Sequence, residues 1–128
     1  MLFNADIKNI PFGNKYFSVA HSSGVIEHFS DQEIKKILQE MMRVAVTVVF
    51  AVPSLYFDES EKMFGDERFL SKKRWRELIN ESNADIITDA GFHLLPFKKR
   101  ILRITKNPKM VFAPKAMHLF IIRERKEL

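Results

Sequence analysis

A strand, a capped helix and a second, almost wholly apolar strand follow one another between residues 16 and 52, and this succession constrains the chain more than anything else in it. Residues 16–21 mix aromatic and β-branched side chains after a Gly13-Asn14 turn, which is the composition of a strand. Ser30 precedes Glu33 by three positions, a capping box in which each side chain satisfies a free backbone N–H at the other's position. Ile34, Ile37, Leu38 and Met41 then recur at helical spacing, predicting a helix over residues 31–43 with one apolar stripe. Residues 44–52 are nearly continuous apolar and β-branched positions, predicting a strand covered on both faces. Strand, helix and buried strand make a βαβ unit, so a parallel pair joined by a right-handed crossover is expected. The fold class is α/β.

Pro53 ends that strand, and residues 54–70 read as an irregular, acidic and aromatic segment. Ser71 can cap a second helix whose Trp75, Leu78 and Ile79 form the inward stripe. Ile86 and Ile87 are expected to continue it as a further short helix, with Gly91 as its left-handed terminator. Residues 92–97 and 116–123 read as two more strands, joined by a linker that holds Pro108 and Pro114. The 128 residues suffice for one domain with its own core, and no repeat or interdomain linker interrupts them.

The absence of cysteine excludes disulfides, zinc–thiolate sites and thiol nucleophiles, and fits a reducing compartment. The longest apolar run, residues 44–53, is far below the about 20 residues of a membrane-spanning helix. Residues 1–12 have neither a basic start nor a long apolar stretch, so a cytoplasmic protein is expected. The net charge of +5 is uneven: residues 98–128 carry ten basic and two acidic groups, while residues 1–53 carry five of each. The cluster Lys98, Lys99, Arg100, Arg103, Lys106, Lys109 and Lys115 could meet a phosphate-bearing partner or be a solvated face. No aromatic stacking pattern accompanies it, so nucleic acid is the less favoured partner.

Several short motifs fall at the seams of this pattern. Asp6-Ile7 stands shortly before Ile10-Pro11-Phe12; Phe17-Ser18-Val19 lies in the first strand; Glu27-His28 precedes the capped helix. Together these closely resemble the middle of a class I S-adenosylmethionine (SAM)-dependent methyltransferase of the small-molecule "type 11" kind. That family has an acidic residue, Leu/Ile-Pro-Phe, a Phe-Asp-Val strand and a Glu-His pair. The resemblance implies a partial Rossmann-like methyltransferase sheet flanked by helices. In the family's order, 3-2-1-4-5-7-6 with an antiparallel last strand, residues 1–5 would be strand 3, residues 17–21 strand 4 and residues 47–52 strand 5. Residues 92–97 and 116–123 would be the closing pair.

The resemblance also implies a cofactor, SAM, lying across the carboxyl ends of the strands. Asp6 would accept a hydrogen bond from the adenine amino group, a role that suits a carboxylate, and Ile7 would lie against the ring. His21 and Ser22 would approach the methionine part. His28, at the rim, would be the catalytic residue that orients or deprotonates a small-molecule acceptor, its ordinary pKa of about 6.5 suiting base work. A turn role for Asp6 and a loop-locking role for His28 are the structural alternatives. His21 and His28 have no third ligand near them in sequence, so no metal is expected. Val52-Pro53-Ser54-Leu55 lacks the Asn/Asp-Pro-Pro-Tyr/Phe motif of enzymes that methylate nucleobase amines. The aromatic group Tyr56, Phe57, Phe64 and Phe69 is expected to pack under a loop.

Two departures qualify the resemblance. Ser18 stands where the family has Asp, and the Gly-rich loop and ribose-binding acid of the family have no counterpart in this sequence. Weak SAM binding, and activity only with a partner, are therefore expected. Without family strands 1 and 2, residues 16–21 become a sheet edge that a second copy or a separately encoded front half would cover. The alternative is a non-catalytic methyltransferase-like module that dimerises through this edge.

Overall fold

The structure, a computed structural model, describes residues 1–55, 62–94 and 115–127. Strand β1 (Phe17–Ser23) leads through a short 3-10 turn (Ile26–His28) into helix α1 (Asp31–Val44). Strand β2 (Ala45–Pro53) follows α1 without a loop. Helix α2 (Lys72–Glu81) runs into β3 (Ala84–Leu94), and β4 (Lys115–Glu124) completes the sheet.

The first half follows from the sequence. Ser30 Oγ accepts the N–H of Glu33, and Glu33 Oε2 accepts the N–H of Ser30 at 3.1 Å, so the capping box forms in full. Behind it Ile34, Ile37, Leu38 and Met41 are buried. At the other end Ala45, already extended, donates its N–H to Met41 O, and the β-branched run takes over at once. β1 and β2 pair in parallel, with Val19 opposite Thr47 and Ser22 opposite Phe50.

The sheet has the order β1-β2-β4-β3, with β4 antiparallel to both of its neighbours. Val48, Phe50 and Val52 of β2 and Phe120 and Ile122 of β4 form the buried platform under both helices. Phe50 stacks on Phe120 at 5.2 Å between ring centroids and meets Trp75 of α2 at 6.0 Å. Each such side chain, moved from water into this core, contributes about 1.5–3 kcal/mol.

Three expectations are corrected. Residues 1–5, expected as a strand equivalent to family strand 3, are exposed and in no strand; the only pairing nearby is an isolated bridge from Asp6 to Asn9. This five-residue segment has no strand partner on either side among the described residues, and one strand cannot satisfy its backbone alone. Ile86, Ile87 and Gly91 lie inside β3, not in a helix. The terminator is Asn83, at φ +59°, which stops α2 and lets the β-branched Ile86-Ile87-Thr88 run pair with β4 across a bulge. The strand expected at residue 92 thus begins at Ala84; residues 95–97 of that expectation and most of the proline-bearing linker lie outside the described residues.

Among the described residues β1 pairs only with β2, so its outer edge is free. Tyr16 and Val19 beside it are 67% and 54% exposed. Phe3, Phe12, Tyr16 and Phe17 form a chain of ring contacts at the start of that edge, with centroids 4.9–5.1 Å apart. No helix among the described residues is long and apolar enough to cross a membrane.

Candidate functional site

The carboxyl ends of β1 and β2 lie side by side, since Ser23 is opposite Ala51. Gly24 turns the chain there at φ +65°, in the left-handed region that favours glycine, and donates its N–H to Ala51 O. The 3-10 turn follows, anchored by fully buried Ile26. It sets Glu27 inward, with 3% of its surface exposed, and His28 at the margin.

The segment after β2 returns to this turn and is fastened to it. Arg68 donates its backbone N–H to Glu27 O, and its guanidinium donates to Phe29 O at 2.8 Å and to Asp31 Oδ1 at 2.6 Å. Arg74 takes the other oxygen of Asp31, and the two arginines hold that carboxyl below its usual range. Met63, Phe64 and Gly65 wrap their N–H groups around the Glu67 carboxylate at 2.8–3.0 Å. Burial pushes the Glu67 pKa up, but these backbone donors outweigh it and bring the group down to about 2.

This turn carries Asp66 to His28, and Asp66 Oδ1 lies 2.7 Å from His28 Nδ1. Burial lowers the His28 pKa, while the Asp66 hydrogen bond and the charges of Glu27, Asp66 and Glu67 raise it; the net shift is upward. Glu27 moves upward as well, chiefly because it is buried, and its Oε2 has no hydrogen-bond partner among the described residues. The ligand-capable atoms of His28, Asp66 and Glu67 lie within 4.8 Å of one another, a spacing that one cation can bridge. Both Glu67 oxygens and His28 Nδ1 are already engaged in hydrogen bonds, so the observed arrangement is a bonded cluster.

The residues expected to hold the cofactor divide. Ile7 and His21 line one cavity of about 300 Å³ along the free edge of β1, floored by Met41 and Val44 of α1. Asp6 and Ser22 are not part of its lining. Asp6 is exposed, and its Oδ1 accepts the N–H of Lys8 at 2.8 Å, which is the turn role. Ser22 is buried at the end of β1, and its Oγ has no hydrogen-bond partner among the described residues. A buried hydroxyl without a partner suits a polar ligand atom, and the apolar cavity suits a flat ring; these residues fit part of a nucleoside cofactor.

His28 stands apart, in the cluster with Asp66 and Glu67. Glu27 belongs to the Glu27-His28 motif of the resemblance; what sequence reading did not foresee is that Asp66 and Glu67 come to His28. Phe64, expected to pack under a loop, is 77% exposed and meets the His28 ring edge-on at 5.9 Å. Tyr56 and Phe57 lie outside the described residues, as does the basic cluster apart from Lys115.

Residues 1–47 match the family model described as a methyltransferase domain. No curated protein sequence matches the chain. Among solved structures, a SAM-dependent methyltransferase from Archaeoglobus fulgidus is similar at a TM-score of 0.70 and 11% identity, over 95% of this chain and 66% of that one. An S-adenosylmethionine-dependent methyltransferase from Mesorhizobium loti gives 0.64 and 12%, over 94% of this chain and 67% of the other. A chain of the complex that contains the Haloferax volcanii Trm112 methyltransferase activator gives 0.67 and 14%, over 97% of this chain. This chain spans 60% of that last neighbour's length. With its amino-terminal third matched in sequence and its sheet shared with these structures, the protein carries part of the class I, SAM-dependent methyltransferase fold.

Proposed function

We propose that this chain is the rear part of the catalytic domain of a SAM-dependent methyltransferase that acts on a small molecule, completed by a partner or by upstream sequence. The observation that carries this reading is the cavity shared by Ile7 and His21. The two come from separate segments, and the resemblance assigns both to the cofactor. Asp6 would add an acceptor for the adenine amine through the oxygen not bonded to Lys8, and Ser22 a hydroxyl for the methionine part. The cofactor would supply the electrophilic methyl group. The chain's share is to hold the acceptor in line and, through His28, to take its proton.

Partner dependence is supported by the unpaired edge of β1 and the apolar side chains beside it. The Haloferax volcanii neighbour was solved in complex with an activator, an arrangement that would suit this chain too. The partner is a front-half polypeptide bearing the Gly-rich loop, or a second copy, and the setting is cytoplasmic. The same edge favours the second reading, a non-catalytic module that dimerises through it.

Calorimetric titration with S-adenosylhomocysteine separates the two. The first reading expects weak binding by the chain alone, tightened by a polypeptide carrying the Gly-rich loop and weakened several-fold by Asp6→Ala. No heat at millimolar ligand under either condition, with a dimer in sedimentation, would leave the second reading standing.

A further inference from the structure

We infer that Asp66 is a positioning residue for His28: it holds the imidazole with its proton on Nδ1, so that Nε2 is the nitrogen able to accept one. The inference rests on the methyltransferase reading only for the use made of that proton; the pairing is a property of this chain alone.

Nδ1 of His28 and Oδ1 of Asp66 are 2.7 Å apart. An ionised carboxylate can only accept, so the imidazole must donate from Nδ1, and in the neutral ring Nε2 is then the acceptor. Asp66 is 63% exposed and 38 positions away in sequence, so it needs something to hold it in place. The turn around it does this. Three N–H groups close on the Glu67 carboxylate, Gly65 takes φ +87°, and Arg68 ties the segment to Phe29 O and Asp31.

None of these contacts involves His28, yet together they fix the place from which Asp66 reaches it. Among the described residues, the charged groups that act on the ring are Glu27 on its own turn and Asp66 and Glu67 on the returning segment, all carboxylates. The guanidinium of Arg68, on the same returning segment, is committed to Asp31 and Phe29 O. Such surroundings favour the imidazolium that forms when Nε2 takes an acceptor's proton, and Asp66 stabilises it directly.

The test is nitrogen-15 NMR of the His28 ring in the purified chain across pH. The expected result is the Nδ1–H tautomer at high pH and a titration midpoint above the ordinary one. Asp66→Asn should move the midpoint down and remove the tautomer preference. Glu67→Gln, which loosens the turn, should act in the same direction. A ring protonated on Nε2 in the unaltered chain, or a midpoint unmoved by Asp66→Asn, overturns the inference; the first readout needs no variant to fold. Calorimetry with S-adenosylhomocysteine is independent of both, so a failed methyltransferase reading and a failed pairing give different results.

Discussion

At the amino-terminal end of the parallel pair, charged groups are matched. Lys15 reaches both Met42 O and Glu124, Arg43 bonds Glu40 and the carbonyls of Ile10 and Phe12, and Arg125 bonds Asp85, Asn80 and Ala84 O. At the carboxyl end the account is different. Ser22 Oγ, Glu27 Oε2 and His118 Nδ1, in register with the last residues of β2, are buried and have no hydrogen-bond partners among the described residues. Folded proteins satisfy nearly all of their buried polar groups, and the exceptions gather where something else is meant to bind. One end of this sheet is satisfied within the chain, and the other is the end to which the proposed function assigns a ligand.

If the two ends share a single platform, damage to the platform should fell both. Phe50→Ala removes the ring that stacks on Phe120 and meets Trp75, and is expected to destabilise the fold by about 3–5 kcal/mol in urea unfolding. Val46 lies on the same strand but is half exposed, and Val46→Ala should change stability by less than about 0.5 kcal/mol. Equal losses from the two substitutions would mean that the platform is not where the structure puts it. Ser30→Ala opens the capping box and should cost about 1 kcal/mol. Because the box sits beside the ligand end without belonging to it, this loss should leave the His28 titration where it was. A shift in that midpoint would tie the cap to the site and blur the contrast.

The part encoded by local pattern was the legible one. Ser30 with Glu33, the stripe from Ile34 to Met41 and the β-branched run after Val44 are local patterns, and each local rule agreed with the fold. The legible part stopped where a partner decides. Residues 1–5 resemble a strand in composition, but a strand needs a neighbour. Ile86 and Ile87 could extend a helix or join a sheet; Asn83 in the left-handed region settled it, and one asparagine is a faint signal. The acidic turn was hidden for another reason. Nothing in Gly65-Asp66-Glu67-Arg68 says that the second acid will gather three backbone amides or that the first will reach a histidine 38 residues back. The first role is a local turn two to four residues long, and the second is fixed by tertiary approach, which no spacing encodes.

Glu27 and Glu67 bring the comparison down to two side chains, both buried and titrating in opposite directions. Glu67 has its pKa lowered, so its contribution to stability is present above the ordinary value of 4.5 and is lost as pH falls toward about 2. Glu27 has its pKa raised, first by burial, so its contribution is present below 4.5 and is lost as pH rises through the folded-state value. At neutral pH its carboxylate therefore strains the fold, whereas the Glu67 carboxylate supports it. Glu27→Gln should then raise the unfolding free energy at pH 7, by under about 1 kcal/mol, and the gain should vanish below pH 4.5, where the native side chain is neutral too. A substitution that destabilises at pH 7 would mean that a partner for Oε2 exists in the free chain, and that the ligand end of the sheet is as well satisfied as the other.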